Sequence, residues 1–376
     1  MLRTVENLDL NKKTLKRFDF ILIINVIVLS VYGLIMINSA TSGGNFISNP
    51  YVRTQFIAFL LGLAAVAVLL FIDYEIYGNL YLFIYGFSNL LLLAVLLFGF
   101  GEDQWGARSW LSIGPITFQP SEIAKIGIII SLSKFIEKNE NTLNKPLTLV
   151  KILAFAGLPI ILILMQPDFG TAMVMLFFIA IMLFISGIDY RYIISAVILG
   201  LASLPIIYMN LKEFQLNRIR VFFNPLLDPQ NTGYQVLQSK IAIGSGKLFG
   251  RGLYKGVQNQ YGFLPAKETD FIFAVIGEEL GLLGGGFLIF LYIVLMYRLI
   301  KISKNALDTF GSLMVIGFSG MMLFHIFENI GMTIGLTPVT GIPLPFISYG
   351  GTFMLVNMIC IGLSLNVGLK KEGLEF

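Results

Sequence analysis

Ten apolar runs, each long enough to form a membrane-crossing helix, punctuate the chain at about 18–37, 54–71, 80–98, 120–136, 147–165, 170–186, 192–208, 271–297, 310–334 and 350–369. A helix rises about 1.5 Å per residue, so roughly 20 apolar residues match a hydrocarbon core about 30 Å thick. The fifth and sixth runs are separated only by Gln166-Pro167-Asp168-Phe169-Gly170. Together they cover about 40 residues, twice what one crossing needs, so they break into two at Pro167. The pattern predicts an all-α polytopic membrane protein with about ten transmembrane helices.

One sizeable polar segment interrupts it, a loop over 209–270 between the seventh and eighth helices. Its Gly, Pro and Asn residues (Asn224-Pro225, Asp228-Pro229, Gly233, Gly244, Gly246, Gly250, Gly252) predict ordered turns, and a loop this long is usually functional or disordered. Val236, Leu237, Ile241 and Ile243 favour order, with partial burial at the membrane surface. The chain therefore reads as a single integral membrane domain over 1–376, with a polar N-terminal segment at 1–17. The apolar run after that segment is too long for a signal-peptide core and reads as an uncleaved first span. No internal repeat, coiled coil or low-complexity tract is visible.

Charge sets the orientation. With a cytoplasmic N-terminus, the inner segments carry Arg3, Lys12, Lys13, Lys16, Arg17, Lys134, Lys138, Lys145, Lys151, Arg191, Arg298, Lys301, Lys304, Lys370 and Lys371, while the short outer loops carry only Arg53 and Arg108. The positive-inside rule then places both termini in the cytoplasm and the 209–270 loop outside. The composition agrees: 56% of the 376 residues are hydrophobic and 13% charged, against about 25% charged in soluble domains. A net charge of +4 gives no reason to expect a nucleic-acid partner. Cys360 stands alone, which excludes an intramolecular disulfide and a cysteine-based metal cluster.

In this orientation the unusual polar segments all fall on the outer side: Gly106 to Lys125, Gln166 to Thr171, Gly233 to Asp270 and Thr337 to Gly351. The inner side shows no phosphate-binding loop of the Walker type. Outer-face chemistry has no access to ATP or nucleotide sugars, so a synthase there needs a substrate already activated and carried on a lipid.

Several side chains are candidates for that chemistry, each with a plainer alternative. Asp270 closes the polar loop and opens the eighth apolar run, where it can serve as a helix N-cap or as a general base. Glu122 and Lys125 are i, i+3 neighbours at the start of the fourth helix, after Gln119-Pro120-Ser121. They form either a structural bridge or a polar cavity wall in which Lys125 meets a phosphate. Glu278 and Glu279 are adjacent and point about 100° apart on a helix of 3.6 residues per turn, so at least one is expected to bond between helices, with a proton relay as the alternative. Arg108 sits between Trp105 and Trp110, which read as interfacial belt residues. Gly244-Ser245-Gly246-Lys247-Leu248-Phe249-Gly250-Arg251-Gly252 resembles an anion-binding turn, or is simply flexible. His325, Glu328 and Asn329 share a helical face and read as a hydrogen-bonded core cluster rather than a metal site. Pro338 to Gly351, rich in Pro and Gly, reads as a rigid cavity wall.

Taken together, five motifs in order resemble the SEDS family of shape, elongation, division and sporulation proteins. They are Phe118-Gln-Pro-Ser-Glu122-Ile-Ala-Lys125, Gln166-Pro-Asp168-Phe-Gly-Thr171, Gly233-Tyr-Gln-Val-Leu-Gln-Ser239-Lys240-Ile-Ala-Ile-Gly-Ser-Gly246, Thr269-Asp270-Phe-Ile-Phe-Ala-Val-Ile-Gly-Glu278-Glu279 and Gly341-Ile-Pro-Leu-Pro-Phe-Ile-Ser-Tyr-Gly-Gly351. Gln166-Pro-Asp168 and the run from Gln238 look more like the elongation branch than the division branch. The resemblance implies a bacterial cytoplasmic-membrane peptidoglycan glycosyltransferase that polymerises lipid II on the outer face, beside a class B penicillin-binding protein. It implies Asp270 as the essential carboxylate and Glu122 and Lys125 as the polar pair of the central cavity. Arg108, Ser239 and Lys240 join them as expected substrate contacts, and a Mg²⁺ or Mn²⁺ ion at Asp270 is the expected cofactor. The chain departs from the family pattern at Glu268, where His is common, at Lys247, where Gly is common, and at Thr352, where Ser is frequent. Glu268 adds negative charge beside Asp270, which favours a raised pKa or a bound cation there. A lipid II flippase and a non-catalytic scaffold for the transpeptidase are the competing functions.

Overall fold

The computed structural model describes residues 18–41, 45–101, 108–114, 116–211 and 213–370. The N-terminal segment 1–17, Trp105, Gly106 and Lys371 lie outside the described residues. Helices stand at all ten apolar runs: α1 (Phe20–Thr41), α2 (Pro50–Phe71), then after the short α3 (Tyr74–Asn79), α4 (Tyr81–Phe98), α5 (Pro120–Lys138), α6 (Pro146–Leu164), α7 (Phe169–Ile185) and α8 (Tyr190–Asn210). The 209–270 loop contributes α9 (Glu213–Phe223), α10 (Thr232–Gly246) and α11 (Val257–Gln260), and the chain ends with α12 (Ile272–Lys304), α13 (Thr309–Ile334) and α14 (Gly351–Leu369). Seven of these (α1, α2, α4, α6, α12, α13 and α14) are long and apolar enough to cross a membrane. Helix α5 carries Glu122, Lys125, Lys134, Glu137 and Lys138, and α7 and α8 present shorter apolar stretches.

Local signals set the boundaries. Asn49 caps α2, accepting from the Tyr51 N–H at 3.0 Å, with Pro50 in the first turn. Asp168 caps α7 just after Pro167, which produces the expected break between α6 and α7. A two-stranded hairpin, β1 (Leu111–Ile113) and β2 (Ile116–Phe118), pairs Leu111 with Phe118 and leads the chain into α5.

Helices α13 and α14 are buried over most of their length, while α2 and α4 turn large apolar side chains such as Leu60, Leu61, Phe83 and Leu90 outward. An apolar surface of this kind is stable only against lipid. Inside, polar side chains stitch the helices to irregular backbone. Asn25 donates to the Leu291 carbonyl at 3.0 Å, Gln55 to Ser348 at 3.1 Å and the Tyr292 hydroxyl to Pro345 at 2.7 Å. In a low-dielectric interior such bonds supply the specificity that helix-on-helix apolar contact lacks.

The eighth apolar run differs from the single span its length predicts. At Gly281 (φ 67°, ψ −161°) the backbone leaves the helix, and a Cβ there would lie 2.3 Å from the Gly250 nitrogen. Only glycine adopts that conformation in that space. The groups released by the break are taken up by the preceding loop: Arg251 and Gly252 donate to the carbonyls of Glu278 and Glu279 at 3.0 and 2.9 Å, and Leu282 and Leu283 donate to Lys247 and Leu248 at 2.9 and 3.1 Å. Residues before the break, Ile272 to Glu279, are buried in protein, whereas Leu282 and Leu283 beyond it are exposed. The acidic stretch therefore belongs to a half-helix enclosed by the protein, and the lipid-facing helix starts past it.

Both acidic side chains of that half-helix hold the loop in place. Glu278 accepts from the Gln258 and Asn259 N–H groups at 2.8 and 3.1 Å. Glu279 accepts from Ser39 Oγ at 2.6 Å, from the Tyr254 N–H at 3.1 Å and from Asn259 Nδ2 at 2.8 Å. So Glu279 does bond between helices, to α1, and Glu278 bonds to the loop backbone. The loop itself is more helical than its turn-forming residues predict; Val236 is buried as expected, but Ile241 is exposed.

Candidate active site

Asp270 lies on the turn that precedes α12, and the N-cap position is Phe271, which makes no side-chain cap bond. The carboxylate is thereby released from the capping role its position allowed. The turn is held from one side by its backbone. Carbonyls of three consecutive residues, Glu268, Thr269 and Asp270, accept respectively from the Tyr349 N–H at 2.9 Å, Ser348 Oγ at 2.6 Å and Asn329 Nδ2 at 2.9 Å. Asn329 also donates to Ile342 at 2.8 Å, and Ser348 accepts from the Leu344 N–H at 2.8 Å. Gly341 (φ 76°) brings this wall so near that a Cβ there would lie 3.4 Å from Asp270 Oδ2. The segment read as a cavity wall is thus a clamp on the backbone of the candidate base.

Desolvation pushes the Asp270 carboxyl up to about 6, with the Glu268 charge adding a smaller push, while the Thr269 hydroxyl and Arg218 pull against it. Arg218 comes from α9; burial lowers its value, and the charges of Asp270 and Asp168 oppose that shift. Asp168 is in turn a hub: it accepts from the Thr171 N–H at 3.0 Å and Thr171 Oγ1 at 2.9 Å, Ser109 Oγ at 3.2 Å and Gln119 Nε2 at 3.5 Å. The hairpin, α7, α9 and the α12 turn therefore meet at one charged cluster. Sequence reasoning missed Arg218, because nothing in Asn217-Arg218-Ile219-Arg220 separates it from Arg220, which is exposed and pairs with Glu213 at 2.8 Å.

Glu122 and Lys125 form the expected pair at 2.9 Å, fully inside the protein. A third member joins them: Lys125 Nζ lies 2.9 Å from His325 Nε2, and His325 Nδ1 lies 3.1 Å from the Pro343 carbonyl. A carbonyl only accepts, so Nδ1 carries the proton and Nε2 receives the ammonium. Of the predicted core face, His325 thus joins the Lys125 group, Asn329 joins the Asp270 clamp and Glu328 accepts from Thr340 at 3.0 Å. Glu122 Oε2 is buried without a hydrogen-bond partner, so the triad keeps one open acceptor.

The other expected contacts are spread out. Ser239 is buried and its hydroxyl donates to the Thr333 carbonyl at 2.7 Å, which fastens α10 to α13. Lys240, next to it, is exposed, and Arg108 is exposed beside Ser109 at the edge of the Asp168 cluster. Among the described residues no three of His, Cys, Asp and Glu gather as metal ligands.

The sequence profile of the cell cycle protein family that groups FtsW, RodA and SpoVE matches residues 19–372. The peptidoglycan glycosyltransferase MrdB of Escherichia coli is 38% identical over 372 residues, covering 97% of this chain and 98% of that one. The probable peptidoglycan glycosyltransferase FtsW of Geobacter metallireducens is 34% identical, covering 98% and 99%. Among solved structures, a chain of a peptidoglycan synthase complex that coordinates polymerisation and crosslinking superposes with a TM-score of 0.81 at 30% identity, over 93% of this chain and 97% of that one.

Proposed function

Since this chain belongs to the FtsW, RodA and SpoVE family of cell cycle proteins, we propose that the clamped turn at Asp270 is the catalytic centre of a multi-pass bacterial inner-membrane peptidoglycan glycosyltransferase. The polymer is built from lipid II on the outer face, with both termini of the chain inside. The higher identity to MrdB than to FtsW favours wall elongation over division. The likeness to a synthase-complex chain favours action beside a class B penicillin-binding protein.

The observation that carries the reading is a carboxylate on a turn whose three consecutive carbonyls are clamped and which is free of capping duty, with burial raising its value to about 6. The 4-hydroxyl of one lipid II sugar attacks the anomeric carbon of the other substrate. Its proton passes to Asp270 as the new C–O bond forms, and the bond from carbon to the lipid diphosphate breaks with its electron pair leaving on the diphosphate oxygen. Configuration inverts, and the products are a longer glycan and a polyprenyl diphosphate. A base with a value close to the working pH suits this proton transfer. Positive groups at the departing diphosphate lower the barrier where charge develops.

The donor set fits a hard cation bound partly by substrate, since Mg²⁺ commonly takes one or two carboxylates and completes its shell with phosphate oxygens and water. As the alternative to taking the proton, Asp270 would hold this ion, which would neutralise diphosphate charge. EDTA is then expected to suppress polymer formation and added Mn²⁺ to restore it; full activity in chelator would remove the ion from the scheme.

A gel assay of polymer from labelled lipid II, run across pH, tests the base. Activity should rise through about pH 6 and level off above it, because Asp270 must be ionised to accept the proton. Arg218→Gln removes the cation that favours ionisation, so the rise should move to higher pH. A profile that stays flat through this range, or an acid shift in the Arg218 variant, would refute the assignment.

A further inference from the structure

Helix α9 is held at both ends near the level where helices leave the membrane. It begins at Glu213, with only residues 211 and 212 between it and the end of α8 at Asn210. Helix α8 turns Ile194, Ile198 and Leu201 outward, a surface that is stable only against lipid. Farther along α9, Arg218, Val221 and Phe222 pack beside Thr337 and Val339, just past Ile334, the last residue of the membrane-crossing α13. A helix fixed at these two points runs along the membrane surface instead of standing away from it.

Its sequence carries three faces where a helix packed between protein and water needs two. Successive residues turn by about 100°. Arg218, Val221 and Phe222, at i, i+3 and i+4, form the face against the protein, and Val221 is buried there. Glu213, Asn217 and Arg220, at i, i+4 and i+7, form a polar face on which Glu213 and Arg220 pair at 2.8 Å with both side chains exposed. Leu216, Ile219 and Phe223, at i, i+3 and i+7, form a third stripe that is wholly apolar, and Phe223 is 79% exposed. The turn that follows extends this stripe. Asn224 Oδ1 accepts from the Leu226 N–H at 3.2 Å, and Asp228 accepts from Asn217 Nδ2 at 3.0 Å and from the Asn231 N–H at 3.2 Å. An ordered backbone thus displays Leu226 and Leu227, 72% and 59% exposed, next to Phe223.

We propose that α9 and the turn after it are an interfacial membrane anchor, with Phe223, Leu226 and Leu227 seated among the acyl chains just below the lipid headgroups. Helices of this kind lie in the plane of the interface and bury their apolar face about 5–10 Å into it. Lipid is the occupant because the stripe continues from α8, whose exposed side chains already face it, and because the polar face of α9 is turned a quarter of a circle away, toward water. The ordered turn matters for the same reason. Side chains fixed in place by Asn224 and Asp228 enter the interface without a further cost of ordering the backbone. The helix that carries Arg218 is thereby gripped from two sides, by the protein and by the bilayer.

Fluorescence quenching in phosphatidylcholine nanodiscs tests the anchor. The full chain carries an environment-sensitive NBD label on a thiol introduced by Phe223→Cys, Leu227→Cys or Glu213→Cys, and wild type, whose one thiol at Cys360 is buried, is the blank. The first two labels should emit to the blue of the third. They should be quenched by lipid bearing a doxyl group near the headgroup end of its acyl chain and protected from aqueous iodide, with the reverse at Glu213→Cys. Two separate positions guard against a label that disturbs its own site. Water-like emission with full iodide quenching at both would overturn the anchor. Shielding from iodide without quenching by doxyl lipid would also overturn it, as would shielding that appears only when a class B penicillin-binding protein or a second copy of the chain is present, since each gives the stripe to protein. The signal is the same in either leaflet and needs no polymer, so the anchor and the glycosyltransferase reading stand or fall separately.

Discussion

Asp270→Asn should lower glycan polymerisation by about 10²–10⁴-fold, the range a general base contributes, with the protein folded and its partner complex intact. The expectation of an unchanged fold comes from how the turn is held. Asn329 bonds the Asp270 carbonyl, Ser348 and Tyr349 bond the two carbonyls before it, and Phe271 rather than Asp270 occupies the cap position. Asparagine keeps every one of those backbone contacts and the size of the side chain. It loses only the negative oxygen that takes the proton. The measurement is polymer from labelled lipid II with Mn²⁺ and the cognate penicillin-binding protein, wild type against variant. Comparable polymer from both would remove Asp270 from the chemistry. Loss of the complex in the variant would favour the scaffold reading, and movement of lipid II across liposomes with no polymer from either protein would favour the flippase.

Lys125→Met is expected to be the most damaging single change to stability, about 3–5 kcal/mol, the cost of stranding one charge of a buried pair. Lys125 is fully buried and Glu122 nearly so, 2.9 Å apart. Methionine fills the volume but donates nothing. Glu122 Oε1 would join Oε2, which already lacks a partner, and His325 Nε2 would lose its donor. Adding Glu122→Gln to Lys125→Met should recover a good part of the loss, because a neutral amide is far cheaper to bury than a carboxylate. Thermal unfolding in detergent reads both. A single variant as stable as wild type would mean that the Lys125 ammonium compensates no buried charge.

The apolar runs made the helices legible, because a length of about 20 residues is a direct consequence of bilayer thickness. Asp270, Glu122 and Lys125 were legible for a related reason: ionisable groups are too costly beside lipid to be left without a purpose. What the pattern hid was partnership. His325 lies 200 positions from Lys125, Asn329 is 59 from Asp270, and Arg218 reaches Asp270 from a helix that looks like ordinary loop. No periodicity encodes such distances. Ser239 shows the converse, a motif residue whose hydroxyl joins α10 to α13. The break at Gly281 escaped notice because its hydrogen bonds are closed by residues 247–252, and the length of an apolar run gives no sign of a backbone completed from elsewhere.

The three-point clamp on residues 268–270 also orders events during synthesis. The turn bearing Asp270 leaves the ribosome before any of its supports, since Asn329, Ser348 and Tyr349 all lie downstream in the chain. The partners of the broken helix are the opposite case: Ser39, Lys247 and Asn259 are made first and are waiting when Glu278 to Leu283 arrive. A half-made chain therefore has the partners of its acidic half-helix but not those of the Asp270 turn. The turn at residues 268–270 gains its three supports only when α13 and the segment leading into α14 have been made.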